Sequence, residues 1–100
     1  METRKLGKTD IQATKLCLGT WPVGGGPWWG PTDDDESIRA IKTSVDEGIN
    51  FIDTAPAYGF GRSEEVVGKA VKGMRDKVII STKCGLWWKG DEGRVFFEMD

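Results

Sequence analysis

Apolar positions along this 100-residue chain change their period several times, and each change marks a predicted element. "RKL" and "IQAT" flank the turn-rich "GKTD", which predicts a short N-terminal hairpin. "KLCLG" follows as a compact apolar strand closed by glycine. Residues 20–34, "TWPVGGGPWWGPTDD", hold glycine and proline at a density that regular elements do not tolerate, so they predict a long loop. Asp33 and Glu36 have the D-x-x-E spacing of a capping box. Ile38, Ile41 and Val45 then recur at helical spacing up to a stop at Gly48. "NFIDTA" reads as a buried strand and "PAYGFGR" as the loop leaving it. Ser63 is spaced to cap a second helix, with Glu64 and Glu65 in its first turn, where carboxylates complement the helix dipole. Val66, Val67, Ala70, Val71 and Met74 form the apolar face of that helix. "KVIISTK" is a third strand, and "CGLWWKGDEGRVFFEMD" leaves it as a loop with room for a small hairpin.

The order strand, helix, strand, helix, strand predicts an α/β chain with parallel strands and right-handed crossovers. Three strands and two helices do not complete such a fold. A parallel sheet needs helices on both faces or closure into a barrel, and closure takes eight βα units, typically about 250 residues. Residues 1–100 are therefore read as the N-terminal part of one larger domain, with no internal linker.

Composition narrows the partners. Fourteen basic and sixteen acidic residues leave a net charge of −2, without the basic stripe of a nucleic-acid binder or the acidic tail of a disordered chain. The polar start "METRKLGKTD" is followed by no long apolar run, so the expectation is a soluble, cytoplasmic chain with neither signal peptide nor membrane span. Cys17 and Cys84 are far apart and histidine is absent, which excludes zinc-ligand spacing and predicts no metal site; both thiols are expected to be reduced and buried.

The ten aromatic residues are unevenly spread. Trp21, Trp28, Trp29, Tyr58, Phe60, Trp87, Trp88, Phe96 and Phe97 all follow predicted strands, and only Phe51 lies within one. In parallel α/β folds the loops after the strands carry the ligand site, so these rings predict an aromatic-walled pocket. Trp21, Trp28, Trp29, Tyr58, Trp87 and Trp88 are its candidate lining. Two charged residues end strands beside it. Strand parity puts Asp53 on the face of Phe51, and Lys83 on the face of Ser81 and Ile79. Neighbouring strands would let carboxylate and ammonium meet, with Tyr58 arching over from the intervening loop. A buried ion pair is costly to build, so one facing a pocket points to function more than to stability. An ammonium beside a phenol favours loss of the phenolic proton, and a phenol so tuned can protonate a carbonyl oxygen under hydride attack.

"RKLGKTDIQATKLCLGTWPVGGG", "GINFIDTAPAYGFGRSEEVVG" and "VIISTK" together resemble the aldo-keto reductases over essentially the whole chain. The resemblance implies a (β/α)8 TIM barrel, of which this chain supplies the hairpin closing the bottom, the first three strands and two helices. It implies NADPH as cofactor and reversible reduction of an aldehyde or ketone, sugar-like carbonyls included. Residue by residue, Tyr58 resembles the proton donor, Lys83 the lysine that tunes it, and Asp53 the aspartate paired with that lysine. Gly19, Thr20 and Trp21 match positions near the nicotinamide end of the cofactor, beside Asp53. The family's fourth catalytic residue is a histidine one strand further on, and most cofactor contacts come from the second half of the barrel. A non-catalytic barrel or fragment with a nucleotide- or partner-binding role is the alternative.

Two glycine motifs fail. Gly59 and Gly61 are followed by Glu64 where a dinucleotide fingerprint needs its third glycine, and "GTWPVG" continues into Gly25 and Gly26 where a phosphate loop needs lysine and a hydroxyl.

Overall fold

The computed structural model describes residues 1–88 and the strand at 95–97. β1 (Thr3–Lys5) and β2 (Gln12–Thr14) form the expected antiparallel hairpin, with Arg4 opposite Ala13. β3 (Leu18–Gly19), β4 (Phe51–Asp53) and β5 (Ile79–Ser81) form a parallel sheet in that order. The register sets Gly19 beside Asp53 and Asp53 beside Ser81, so the strand ends are level. All three strands are shorter than their apolar runs.

α2 (Asp34–Asp46) crosses from β3 to β4. Its cap is Asp33, whose side chain accepts hydrogen bonds from the N–H groups of Asp35 and Glu36. Gly48, at φ 108°, ends it by donating to the Val45 carbonyl. α3 (Arg62–Ala70) crosses from β4 to β5. Alternation along the strands turns Ile52 toward these helices, where it joins Ile41, Val66, Val67, Ala70, Val71 and Val78 in one core. Phe51 and Asp53 occupy the opposite face.

The hairpin is tied under the sheet by one residue. Asn50, just before β4, accepts from Thr14 N–H with Oδ1 at 2.8 Å and donates Nδ2–H to the Gln12 carbonyl at 2.9 Å.

Four expectations need correction. Residues 20–34 are not wholly irregular: a 3-10 turn at Pro22–Gly24 and a one-turn helix, α1 (Gly26–Trp29), lie within them. Each has proline at its start, which costs no hydrogen bond there. Ser63 is not a cap, because α3 begins one residue earlier and Gly61 takes that position in a left-handed conformation. Met74 lies past the end of α3 but still packs against the core. Cys17 and Cys84 are exposed, not buried. Cys17 shares parity with Gly19, on the sheet face away from the helices, and Cys84 sits in the loop leaving β5. The small hairpin after β5 is present, as β6 (Leu86–Trp88) paired antiparallel with β7 (Val95–Phe97). The rest of "CGLWWKGDEGRVFFEMD" from residue 89, including the side chains of Phe96 and Phe97, lies outside the described residues.

Candidate active site

Asp53 ends β4 and Lys83 stands two residues beyond β5, so adjacent parallel strands deliver both side chains to one mouth. Lys83 Nζ donates to Asp53 Oδ1 and Oδ2, each at 3.1 Å, and to the Thr54 carbonyl at 2.8 Å. Every proton of the ammonium thus has an acceptor. The same Nζ lies 5.0 Å from the centre of the Tyr58 ring, a cation–π distance. The three predicted residues therefore meet.

They are less buried than strand parity implied. The side chains of Lys83 and Asp53 are 40% and 36% exposed, because the mouth is open on the sheet face away from the helices. Partial desolvation pulls the Lys83 pKa down, but the hydrogen bond to Asp53, the Tyr58 phenol and the Asp53 charge outweigh it and hold the ammonium above the ordinary lysine range. Lys83 stays charged at any physiological pH. Cys17 is pushed up, by partial burial first and the Asp53 charge second, so its thiol stays protonated beside the pair.

Three hydroxyls that sequence reasoning did not assemble hold this mouth from behind. Ser63, Thr20 and Thr54 are almost wholly buried. Ser63 Oγ lies 2.9 Å from both the carbonyl and the hydroxyl of Thr20, and 3.0 Å from the Thr54 hydroxyl. Thr20 Oγ1 donates in turn to the Asp53 carbonyl at 2.9 Å. Loop, strand end and helix start are thereby fastened together around the backbone that carries Asp53. Thr20, read from sequence as near the cofactor, has its side chain in this network; Gly19 and Trp21 on either side of it are exposed.

The loops carrying Trp21 and Tyr58 touch through their main chains. A Cβ on Gly24 would stand 2.7 Å from Gly59 N and from the Tyr58 carbonyl carbon. Gly59, Phe60 and Gly61 then all take positive φ, at 62°, 56° and 99°. Outside, Arg62 pins the same two loops, donating Nε–H and Nη2–H to Asp34 Oδ1 at 3.1 and 2.7 Å and Nη2–H to the Thr32 carbonyl at 3.2 Å. Nothing in the sequence singled out Arg62.

The rings form a connected wall above the trio. Trp21 stacks on Tyr58, with centres 5.8 Å apart and planes 20° from parallel, and meets Trp28 and Trp29 edge-on at 6.4 and 5.6 Å. Phe60 lies 5.5 Å from Trp28 and 5.8 Å from Trp88, which stacks on Trp87 at 5.2 Å. The candidate lining residues are together, as an open wall.

Hairpin, parallel strand ends and crossover helices make up the opening segment of a βα barrel, with a carboxylate–lysine–phenol cluster at the mouth of its first strands. The Aldo/keto reductase family model matches residues 15–96, and the chain belongs to that family. It is 52% identical over 94 residues to the aldo-keto reductase YhdN of Bacillus subtilis, covering 92% of this chain and 28% of that protein. It is 47% identical over 91 residues to the NADH-specific methylglyoxal reductase of Escherichia coli, covering 89% of this chain and 28% of that one. Among solved structures, the glycerol dehydrogenase of Gluconobacter oxydans superimposes with a TM-score of 0.82 at 46% identity, covering 97% of this chain and 30% of that chain. The chain spans less than a third of the length of these relatives, and its fold is the start of their (β/α)8 barrel.

Proposed function

We propose that this segment supplies the proton-donating side of an active site that reduces aldehydes or ketones reversibly to alcohols, with NADPH as reductant and Tyr58 as general acid. The observation that carries the proposal is the position of Lys83, whose ammonium is locked by Asp53 and the Thr54 carbonyl yet faces the Tyr58 ring.

The strand ends suit a flat, polar ring. Nothing lies within 4 Å of where a Cβ on Gly19 would stand, so a shelf is open there beside the Asp53 carboxylate and the exposed face of Trp21. Gly19, Trp21 and Asp53 would border the nicotinamide, and Thr20 would support them from behind. When bound, the reduced nicotinamide supplies hydride to the carbonyl carbon.

The chain's own residues handle the proton. Tyr58 gives its phenolic proton to the carbonyl oxygen as negative charge grows there. The Lys83 ammonium stabilises the phenolate left behind, and Asp53 keeps Lys83 protonated and aimed. Trp21, Trp28, Trp29, Trp87 and Trp88 form the wall that receives the rest of a small carbonyl or sugar-like substrate. The fit with the named relatives is chemical, since methylglyoxal and glycerol are small carbonyl and polyol compounds. No helix among the described residues is long and apolar enough to cross a membrane.

The test is the full-length protein with an aldehyde, following loss of reduced-nicotinamide absorbance with NADPH and NADH in parallel. Turnover with NADPH that collapses in Tyr58→Phe supports the reading. Turnover untouched by that substitution refutes it, and a preference for NADH would overturn only the cofactor assignment.

A further inference from the structure

We propose that Phe60 is a specificity-determining residue, the keystone that joins two separate tryptophan groups into one surface selecting carbonyl substrates with a flat, apolar substituent. The inference rests on the carbonyl-reductase reading above.

Among the described residues, Phe60 is the one non-glycine with positive φ. A bulky residue in that region is strained, and such strain persists only where the surroundings demand it. Glycine would adopt the conformation freely, as Gly59 and Gly61 do on either side. The ring therefore matters where it stands.

Its surroundings show what it does. Tyr58, Trp21, Trp28 and Trp29 make one set of touching rings, on the two loops that meet at Gly24 and Gly59. Trp87 and Trp88 make another, on β6. Among the described residues the aromatic contacts between the two sets run through Phe60 alone, to Trp28 on one side and Trp88 on the other. Both contacts are tilted, by 44° and 45°, so the ring closes a corner. The bridge begins two residues from the proton donor. A carbonyl compound held at Tyr58 would present its substituent to this corner, where a flat apolar group gains ring contact on two sides and a one- or two-carbon group reaches neither.

The experiment compares full-length wild type with Phe60→Gly, which relieves the backbone and removes the ring, and with Phe60→Tyr, which keeps it, each first checked for a cooperative thermal melt. Steady-state kinetics on benzaldehyde and on methylglyoxal give the selectivity ratio of kcat/KM. Phe60→Gly is expected to lower that ratio about tenfold, chiefly by raising KM for benzaldehyde, and Phe60→Tyr to restore it. An unchanged ratio, or an equal loss on both substrates, overturns the proposal. A second readout needs no turnover: quenching of tryptophan emission by benzoate should require about tenfold more ligand in Phe60→Gly, and equal binding overturns the proposal. If wild type reduces neither aldehyde but Phe60→Gly still weakens benzoate binding, the carbonyl-reductase reading fails while the keystone stands.

Discussion

Gly24 and Gly59 pass backbone to backbone, with the place of a Gly24 Cβ only 2.7 Å from Gly59 N. No larger residue fits at either position without moving a loop. Gly59 is doubly constrained, since its φ of 62° also disfavours any side chain. Gly59→Ala should therefore destabilise the protein by about 2–4 kcal/mol, from left-handed strain plus overpacking. Gly68→Ala is the opposite case. It sits inside α3 with open space around its missing Cβ, so alanine should stabilise by about 0.5–1 kcal/mol through helix propensity. Thermal melts of both variants check the pair, and a destabilised Gly68→Ala or a neutral Gly59→Ala would contradict this packing.

Tyr58→Phe should cost about 10²–10⁴-fold in kcat with little change in cofactor affinity, because the proton moves only in the transition state. Lys83 is hydrogen-bonded to Asp53 and lies over the Tyr58 ring, so Tyr58→Phe combined with Lys83→Met should lose far less than the sum of the singles. Additive losses in kcat would mean that the groups work separately.

Lys83 sets a pH dependence whose sign follows from its raised pKa. The stability that its hydrogen bond to Asp53 contributes is fully present below the ordinary lysine value of 10.5 and is lost as pH climbs through the higher folded value. Neutral and mildly alkaline conditions should thus leave the pair intact. Asp53→Asn removes the charge that holds the ammonium and should shift Lys83 titration downward. Amine-selective labelling of Lys83 across alkaline pH measures this, and an unmoved titration would break the link.

Ser63→Ala should lower stability by about 1–3 kcal/mol, since it leaves the buried Thr54 hydroxyl without its partner. Ser63→Thr would keep the oxygen but crowd the site. A melting temperature of Ser63→Ala equal to wild type would show that the network contributes nothing.

Residues 1–100 produced alone should self-associate or melt without cooperativity, and should not reduce carbonyls. Among the described residues no helix covers the sheet face bearing Phe51 and Asp53, and Trp21, Trp28, Trp29 and Trp87 are each more than 40% exposed. Size-exclusion chromatography with thermal melting decides; a monomer with a sharp transition, or one that turns over aldehyde, would count against it.

What the sequence made legible follows from how local each signal is. Ile38, Ile41 and Val45 announce α2 because a helix stripe is written within a dozen residues, and strand parity brings Asp53 and Lys83 to one mouth because neighbouring parallel strands leave little choice. Ser63 misled because a serine before two glutamates has the chemistry of a cap, while its actual partners, Thr20 and Thr54, lie 43 and 9 residues away in sequence. Arg62 was invisible for the same reason, with its carboxylate 28 residues upstream. The exposed cysteines show the limit of composition: the lack of metal or disulfide spacing left buried thiols as the expectation, but Cys17 occupies the side of the strand that the helices do not cover.

The meeting of Gly24 with Gly59 has a consequence for how such a site diversifies. The two loops meet through main chain at Gly24 and Gly59 and are pinned by Arg62, so the closest approach between them does not depend on which side chains stand at 28 and 29. Exchanging Trp28 or Trp29 for other side chains could therefore retune the wall while the glycine contact keeps Tyr58 where it stands.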